Sequence, residues 1–281
     1  MTGFVCVDKA EGVSSAREVA ILKKLTHTPC GHMGTLDPMA SGVLPVAVGN
    51  AARLFDYFLA KKKKYRAEFL FGFDADTLDT TGHLVEEGEI PTAKQIEEVL
   101  PAFVGEIAQI PPLYSAKSVN GKRGYELARA GIAFELQPKN VQIYAINLVE
   151  QRENNRFLFD IECGGGTYIR SLARDIALAL HTKAVMSALV RTASGPFLLE
   201  NSVKTTTLTP DNVQNFLIPT ESVLPYADIF VDDKQQKKLL NGVTVPTDQP
   251  NGMYKFYAPD GSFYGLAEAL DGILKIRTKL C

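Results

Sequence analysis

Gly31-His32-Met33-Gly34-Thr35-Leu36-Asp37-Pro38-Met39-Ala40-Ser41-Gly42 is the stretch around which the chain is organised. Its glycines allow sharp turns and positive φ at little cost, and Pro38 stops any helix from running through. Asp37 therefore sits on a tight loop. Preceding a proline, it is pushed towards extended geometry, which turns the carboxylate away from the local backbone. The next residues, Val43-Leu44-Pro45-Val46-Ala47-Val48, read as a buried strand entering the core. A short polar loop anchored to a core strand is a good mount for one reactive group. Taken alone, an Asp-Pro dipeptide more commonly marks a turn aspartate that caps its own loop.

Around this loop, 281 residues suffice for one large domain and a small one. A hydrophobic share of 46% and a charged share of 22% are those of an ordinary soluble globular protein. No apolar run approaches the ~20 residues needed to span a membrane. The start, Met1-Thr2-Gly3-Phe4-Val5, lacks the pattern of a secretion signal. Cys6, Cys30, Cys163 and Cys281 show no pairing pattern, which suits a reducing cytoplasm. The net charge of −2 does not advertise a nucleic-acid binder. The local signal is Lys61-Lys62-Lys63-Lys64-Tyr65-Arg66, five cations in six residues. Such a run is ordinarily a solvated face; lining a groove, it would neutralise phosphates.

In chain order, residues 3–7 read as a strand. Ser14 or Ser15 then caps a helix with Ala16, Val19, Ala20, Leu22 and Leu25 on its apolar face. Asn50 is placed to cap a helix over 51–60. Residues 65–71 alternate as a strand that Tyr65 begins, by default as a half-buried aromatic. The Asp-rich segment 74–82 fails as a calcium loop: counting from Asp74, the fifth position is Leu78, the sixth Asp79 and the twelfth Val85. A hydrogen-bonded turn is expected there. Thr92 caps a helix to about Phe103. The prolines of 109–116 rule out a central strand. A helix over 122–130, containing Tyr125 and Arg129, and strands over 141–150 and 157–163 follow.

The second informative stretch is Cys163-Gly164-Gly165-Gly166-Thr167-Tyr168-Ile169-Arg170-Ser171-Leu172-Ala173-Arg174-Asp175. It reads as strand, glycine turn and helix start, with Leu172, Ile176 and Leu180 facing inward. Glycines before a helix can cradle a phosphate, yet neither Gly-x-Gly-x-x-Gly nor a Walker lysine is present, which argues against a nucleotide cofactor. Arg170 would be odd as a surface residue inside so apolar a turn. Residues 186–192 form another strand, 210–217 a short helix and 219–225 a linker. From Ala227 onward short apolar pieces alternate with turn signals, of which Asn251-Gly252 and Asp260-Gly261 mark hairpins. Cys30 and His32 make a Cys-x-His. With only His27, His83 and His181 besides, and no Cys-x-x-Cys, the ligand count argues against a zinc site and a zinc deaminase.

Together these stretches resemble the motifs of the TruB-type tRNA pseudouridine-55 synthases. The likeness runs from about residue 3 to 200. It takes in Lys9 with Ser14-Ser15, the Asp37 loop, Tyr65, the Thr/Asp-rich turn, Pro-x-Tyr-Ser-Ala, Gly-Thr-Tyr-Ile-Arg and a segment like Leu-x-Arg-x-x-x-Gly. The resemblance implies that Asp37 is the catalytic residue and that Arg170 pairs with it. It implies further that Tyr65 stacks on the target uracil, that Leu189 is an apolar wall of its pocket, and that His32 fills space near the position a flipped base vacates. The implied fold is α+β: a mixed, mainly antiparallel central sheet in a catalytic domain over 1–225, followed by a small all-β PUA-like RNA-binding module over 226–281. The implied activity is isomerisation of uridine 55 in the T arm of tRNA. The glycosidic bond breaks, the base rotates and rejoins through carbon, and no atoms are lost. Neither cofactor nor metal is expected. The expected partner is the T-arm stem-loop of tRNA, with no membrane, protein partner or guide RNA, and the protein is expected to be a monomer. Two readings compete. A non-catalytic tRNA-binding or tRNA-folding protein on the same scaffold would be marked by an altered Asp37 or Arg170. A guide-RNA-dependent relative would be expected to carry long basic tails.

Overall fold

The computed structural model describes residues 1–115, 118, 119, 122–124, 130, 132, 134 and 136–280. Gly3–Lys9 (β1) and Ser41–Val48 (β3) are apolar almost throughout and buried nearly throughout. Continuous apolar strands of this kind need cover on both faces, and both faces are covered. Helix α1 (Ser15–Thr26) and the short β2 (Cys30–His32) lie between them in sequence. Next come α2 (Phe55–Leu59), β4 (Lys63–Phe71), α3 (Ala93–Val99), β5 (Gly105–Gln109), β6 (Lys139–Gln151), β7 (Arg156–Cys163), α4 (Ile169–Ala179), β8 (Ala184–Ser194) and β9 (Phe197–Leu198).

Among the described residues these strands form a nine-stranded sheet in the order β1-β3-β8-β4-β7-β6-β5, with β2 added to β3 and β9 to β8. Every pairing is antiparallel except β3 with β8, where Ser41 and Gly42 lie beside Val190 and Arg191. The mixed, mainly antiparallel sheet expected of the chain is thus present. Strand alternation divides the core. Val5, Val7, Val46, Phe69, Phe157 and Phe159 pack with Leu22, Ile96, Leu172 and Ile176 of α1, α3 and α4. Phe4, Cys6, Val43 and Ala47 turn to the opposite face, against Leu54, Phe58 and Phe197. No helix among the described residues is long and apolar enough to cross a membrane.

The C-terminal part has its own sheet, formed by β10 (Ala227–Phe230), β11 (Val245–Pro246), β12 (Gly252–Tyr257), β13 (Phe263–Leu270) and β14 (Ile273–Lys279) in the order β10-β12-β13-β14-β11. Its core gathers Ile229, Leu239, Tyr254, Phe256 and Leu274. The part is not all-β. Helix α5 (Asp233–Leu240) sits in it, started by a capping box between Asp232 and Gln235. Leu266 and Leu280 also join the core that holds Phe4 and Phe58, so the two sheets share packed residues.

Several local readings change. Asp260-Gly261 turns as expected, but the other hairpin turn is Asp271-Gly272, both at positive φ (51° and 76°). Asn251-Gly252 instead opens β12, and the side-chain carbonyl oxygen of Asn251 accepts from the Asp271 N–H at 2.9 Å, bracing that turn. Helix α1 buries Ser15, Glu18, Leu22 and Thr26 while Ala16 and Ala20 are not on its buried face. Its inward polar groups are satisfied there: Thr205 donates to Glu18 at 2.6 Å. Asn50 caps nothing; a 3-10 turn over Gly49–Leu54 leads into the shorter α2. Ser14 and Thr92 do cap their helices, the second of which ends at Val99 and continues as a 3-10 turn. Lys122–Arg123 pairs as a strand with Ser118–Val119, not as helix, and residues 125–129 of that expected helix lie outside the described residues. Residues 213–216 form only a 3-10 turn. Residues 219–225 are no free linker: just before them Ile218 exchanges backbone hydrogen bonds with Phe4 at 2.7 and 2.9 Å, and Leu224 is buried.

Candidate active site

The Asp37 loop is held by buried side chains that reach its carbonyl oxygens. Arg191, 2% exposed, donates from Nη2 to Gly34 at 3.0 Å, from Nη1 to Thr35 at 3.4 Å and from Nε to Val43 at 2.7 Å. Ser15 Oγ donates to the Leu36 carbonyl and accepts from the Leu36 N–H, each at 2.9 Å. Lys9, fully buried, donates to Pro38 at 3.2 Å and to Ala10 and Val13. Gly42 closes the loop at φ 97°, where any Cβ would overlap the Arg191 carbonyl oxygen. Loop carbonyls are obligatory acceptors once buried, so these donors fix the path of the backbone. Burial lowers the Lys9 ammonium below the ordinary lysine value.

Arg170 enters from the first turn of α4. A cation at a helix N-terminus opposes the macrodipole, and here its guanidinium, 6% exposed, is surrounded by acceptors. Nη2 meets Asp37 Oδ2 at 2.9 Å and the Tyr114 carbonyl at 3.1 Å. Nη1 meets the Thr77 carbonyl at 2.9 Å and Asp79 Oδ2 at 3.4 Å. Asp79 is fixed in turn: Thr77 Oγ1, the Thr81 N–H and Thr81 Oγ1 all donate to its Oδ1. The segment 74–82 is thus the hydrogen-bonded turn its sequence suggests.

Strand register supplies the remaining walls. Arg191 of β8 lies opposite Tyr65 of β4, and Leu189 opposite Ala67, with bulges in β8 on either side. Bulges re-aim side chains beside functional sites. A cavity of about 220 Å³ is lined by Asp37, Tyr65, Arg170, Leu189, Tyr168 and Arg191, among others. It adjoins a larger groove of about 630 Å³ that contains His32, Ser14, Thr77 and Thr81. Thr35, Leu36, Asp37, Ser115 and Arg170 line both, forming the neck between them. The structure therefore brings Asp37, Tyr65, Arg170 and Leu189 to one cavity and sets His32 in the groove on the other side of the neck. Burial, and then the charge of Arg191, hold the His32 imidazole below its ordinary value, while burial raises the Tyr65 phenol.

The basic run does not form one uniform patch. Lys63 is 4% exposed and donates to the carbonyls of Phe58, Leu59 and Lys61; burial brings its ammonium down to about 8, with Arg191 adding to the effect. Lys62 and Lys64 share Glu162 at 3.0 and 3.5 Å, Lys61 lies over the Tyr57 ring, and Arg66 pairs with Asp160. Asp79 and Arg191 escaped the sequence reading as site residues. The signal for Asp79 is its place between two threonines that can donate to it. For Arg191 it is the inward strand position two residues from Leu189.

Comparison with known proteins fits this geometry. Residues 23–169 match the TruB family pseudouridylate synthase (N terminal domain). A protein of Caldanaerobacter subterraneus subsp. tengcongensis named tRNA pseudouridine synthase B is 38% identical over 272 residues, covering 95% of each chain. One of the same name from Clostridium novyi is 39% identical over 289 aligned residues, covering 100% of both. Among solved structures, a chain of a Cbf5-Nop10-Gar1 complex superposes with a TM-score of 0.74 at 26% identity, covering 99% of this chain and 85% of that one. With more than half of the sequence inside the family match and relatives aligned along its whole length, the chain belongs to the TruB family of pseudouridylate synthases, which are isomerases.

Proposed function

We propose that the protein isomerises uridine 55 in the T arm of tRNA to pseudouridine, as a monomer without guide RNA or protein partner. The names of its full-length relatives support tRNA as the substrate. The observation that carries the reading is the 2.9 Å ion pair between Asp37 and Arg170 at the neck of the cavity. In this reading the flipped uracil enters the cavity between Tyr65 and Leu189, and its sugar stays at the neck beside Asp37. The Asp37 carboxylate acts on the ribose, either by attacking C1′ or by removing the C2′ proton. The N1–C1′ bond breaks with its electron pair going to the uracil, the ring turns, and C5 bonds to C1′ as the carboxylate leaves C1′ or the proton returns to C2′; the C5 proton is then given up and N1 takes one, so that no atoms are lost. Arg170 holds the carboxylate in place through directed N–H donors. Tyr65 stacks on the ring; its raised phenol stays protonated at neutral pH. His32 occupies the groove near the position the base leaves. Residues 1–225 act as the catalytic domain and residues 226–281 as an RNA-binding module.

The test is incubation of the purified protein with a T-arm stem-loop RNA, followed by mapping of pseudouridine at the position of uridine 55. Conversion at that site supports the proposal. Tight binding with no conversion would favour a tRNA-binding protein on the same scaffold.

A further inference from the structure

The end of β5 and the residues after it grip the start of α4. Gln109, the last residue of β5 and 1% exposed, meets both backbone groups of Tyr168. Its Oε1 accepts from the Tyr168 N–H at 2.8 Å and its Nε2 donates to the Tyr168 carbonyl at 3.1 Å. Next to it, the Ile110 carbonyl accepts from Ser171 Oγ at 2.8 Å and from Arg174 Nη2 at 2.9 Å. Tyr168 is the residue on which α4 begins, and its side chain does not cap the helix. The first N–H groups of a helix have no partner within it, so Gln109 supplies an acceptor that the helix lacks. The Tyr168 carbonyl also accepts from the Leu172 N–H at 3.1 Å, the opening hydrogen bond of α4.

We propose that Gln109 is a positioning residue for the isomerisation: acting through the Tyr168 backbone, it sets how α4 enters the site and thereby where the Tyr168 ring and Arg170 stand. Both of those residues line the base cavity, and Arg170 holds Asp37. β5 is an edge strand of the large sheet, so the Gln109 amide ties the helix start to the sheet as a further strand would. An amide suits this place because it carries a donor and an acceptor at once, as one residue's backbone does. An ionised carboxylate only accepts, and it would set an oxygen against the Tyr168 carbonyl; a protonated one donates again. Methionine has no donor and only a weak acceptor. The inference rests on the function proposed above for the choice of RNA substrate.

The experiment compares wild type, Gln109→Met and Gln109→Glu on a T-arm stem-loop, measuring kcat, affinity for the RNA and Tm at about pH 8.5 and about pH 5.5, either side of the range to which burial raises a carboxyl. In the Met variant kcat should fall roughly tenfold or more, since a misplacement of about 1 Å can cost about a hundredfold. Affinity should stay within a few-fold of wild type, whereas a merely structural role would lose binding and turnover together. In the Glu variant burial and the Tyr168 carbonyl favour the neutral acid; Lys139, beside it in the β6 register, and Arg174, itself paired with Asp175, favour the ionised form. The neutral acid regains the donor, so kcat relative to wild type should rise several-fold from the higher pH to the lower, and that of the Met variant should not. A Met variant with wild-type kcat, a Glu ratio that does not change with pH, or affinity lost in proportion to kcat each overturns the proposal. Should the Met variant fail to fold, the Glu ratio, taken per RNA-binding molecule, decides. Exchange of the Tyr168 amide in the free protein should quicken in the Met variant, and unchanged exchange also overturns the proposal. That readout needs no RNA, so it fails or succeeds separately from the proposed function, which wild-type conversion of the stem-loop tests.

Discussion

Arg170 Nη2 and Asp37 Oδ2 lie 2.9 Å apart, but the two side chains differ in exposure: 6% for the arginine and 38% for the aspartate. One partner is fixed inside the protein and the other faces the cavity. The guanidinium spends its remaining donors on Tyr114, Thr77 and Asp79 and has no freedom to follow a substrate. The aspartate keeps an oxygen for chemistry. This asymmetry underlies the first two predictions.

Asp37→Asn retains the shape of the loop and removes the charge required at the ribose. T-arm RNA should still bind within a few-fold of wild type, while pseudouridine formation should fall by at least a thousandfold, equivalent to about 4 kcal/mol on the barrier. Matched Tm values are needed as a control. Near-wild-type turnover would refute the assignment of Asp37.

Arg170→Lys keeps a positive charge but cannot reach Asp37, Asp79 and two carbonyls together. It leaves Asp79 buried with its ionic partner displaced, and breaking a buried pair typically costs about 3–5 kcal/mol. Both Tm and kcat should drop. An Asp37 variant loses turnover with its fold intact, so a comparison of urea midpoints separates the two residues.

Arg191→Met should loosen the Asp37 loop, because Gly34, Thr35 and Val43 lose their donor at once. Hydrogen bonds to charged groups are worth about 1.5–3 kcal/mol each, so a lower urea midpoint is expected together with a lower kcat. Amide hydrogen exchange over residues 33–42 should quicken. Unchanged exchange there would mean that Ser15 and Lys9 suffice to hold the loop.

Lys63 gives a pH prediction. Its folded value of about 8 lies below the ordinary 10.5, so between those limits the unfolded chain binds more protons than the native one. Stability contributed through this group therefore rises with pH across that window, by at most ~1.4 kcal/mol per pH unit. Comparing wild type with Lys63→Met at pH 7.5 and 9.5 by urea unfolding should show the difference shifting in favour of wild type at the higher pH. A constant difference would contradict the lowered value.

Replacing Lys61, Lys62 and Lys64 together by alanine leaves the internal Lys63 in place. If the exposed lysines meet RNA phosphates, the slope of log K against log salt should become shallower by about 0.7–0.9 for each phosphate that is no longer neutralised. An unaltered slope would show that the run is a solvated face whose charges are spent on Glu162 and the Tyr57 ring.

The sequence made the two ends of the Asp37–Arg170 pair legible, because each lies in a glycine-marked motif whose local geometry is constrained. The grips on the loop were not legible in that way. Lys9, Ser15 and Arg191 act on carbonyl oxygens, which carry no residue identity, and Arg191 does so from more than 140 residues away in sequence. Helix α1 misled for a related reason. Its buried face includes Ser15 and Glu18, whose partners Leu36 and Thr205 come from other parts of the chain. Asn251-Gly252 carried a hairpin signal, as Asp260-Gly261 did, yet the side chain of Asn251 is used to brace Asp271-Gly272. Turn chemistry is local, whereas the choice between making a turn and supporting one is tertiary.

The placement of β8 has a consequence for how the protein is made. Strands β3 and β4 follow one another in the chain but do not pair; β8 lies between them and joins β1 and β3 to the rest of the sheet. During synthesis at ~5–20 residues per second, β4 must wait on the order of ten seconds before β8 is complete. Throughout that interval the nascent chain exposes the β4 edge and the start of β3 at Ser41 and Gly42, which β2 leaves uncovered, and open edges recruit foreign strands. The ribosome-bound intermediate is therefore the form most exposed to aggregation. Protection by a chaperone matters most for nascent chains that stall before Ser194, the last residue of that strand.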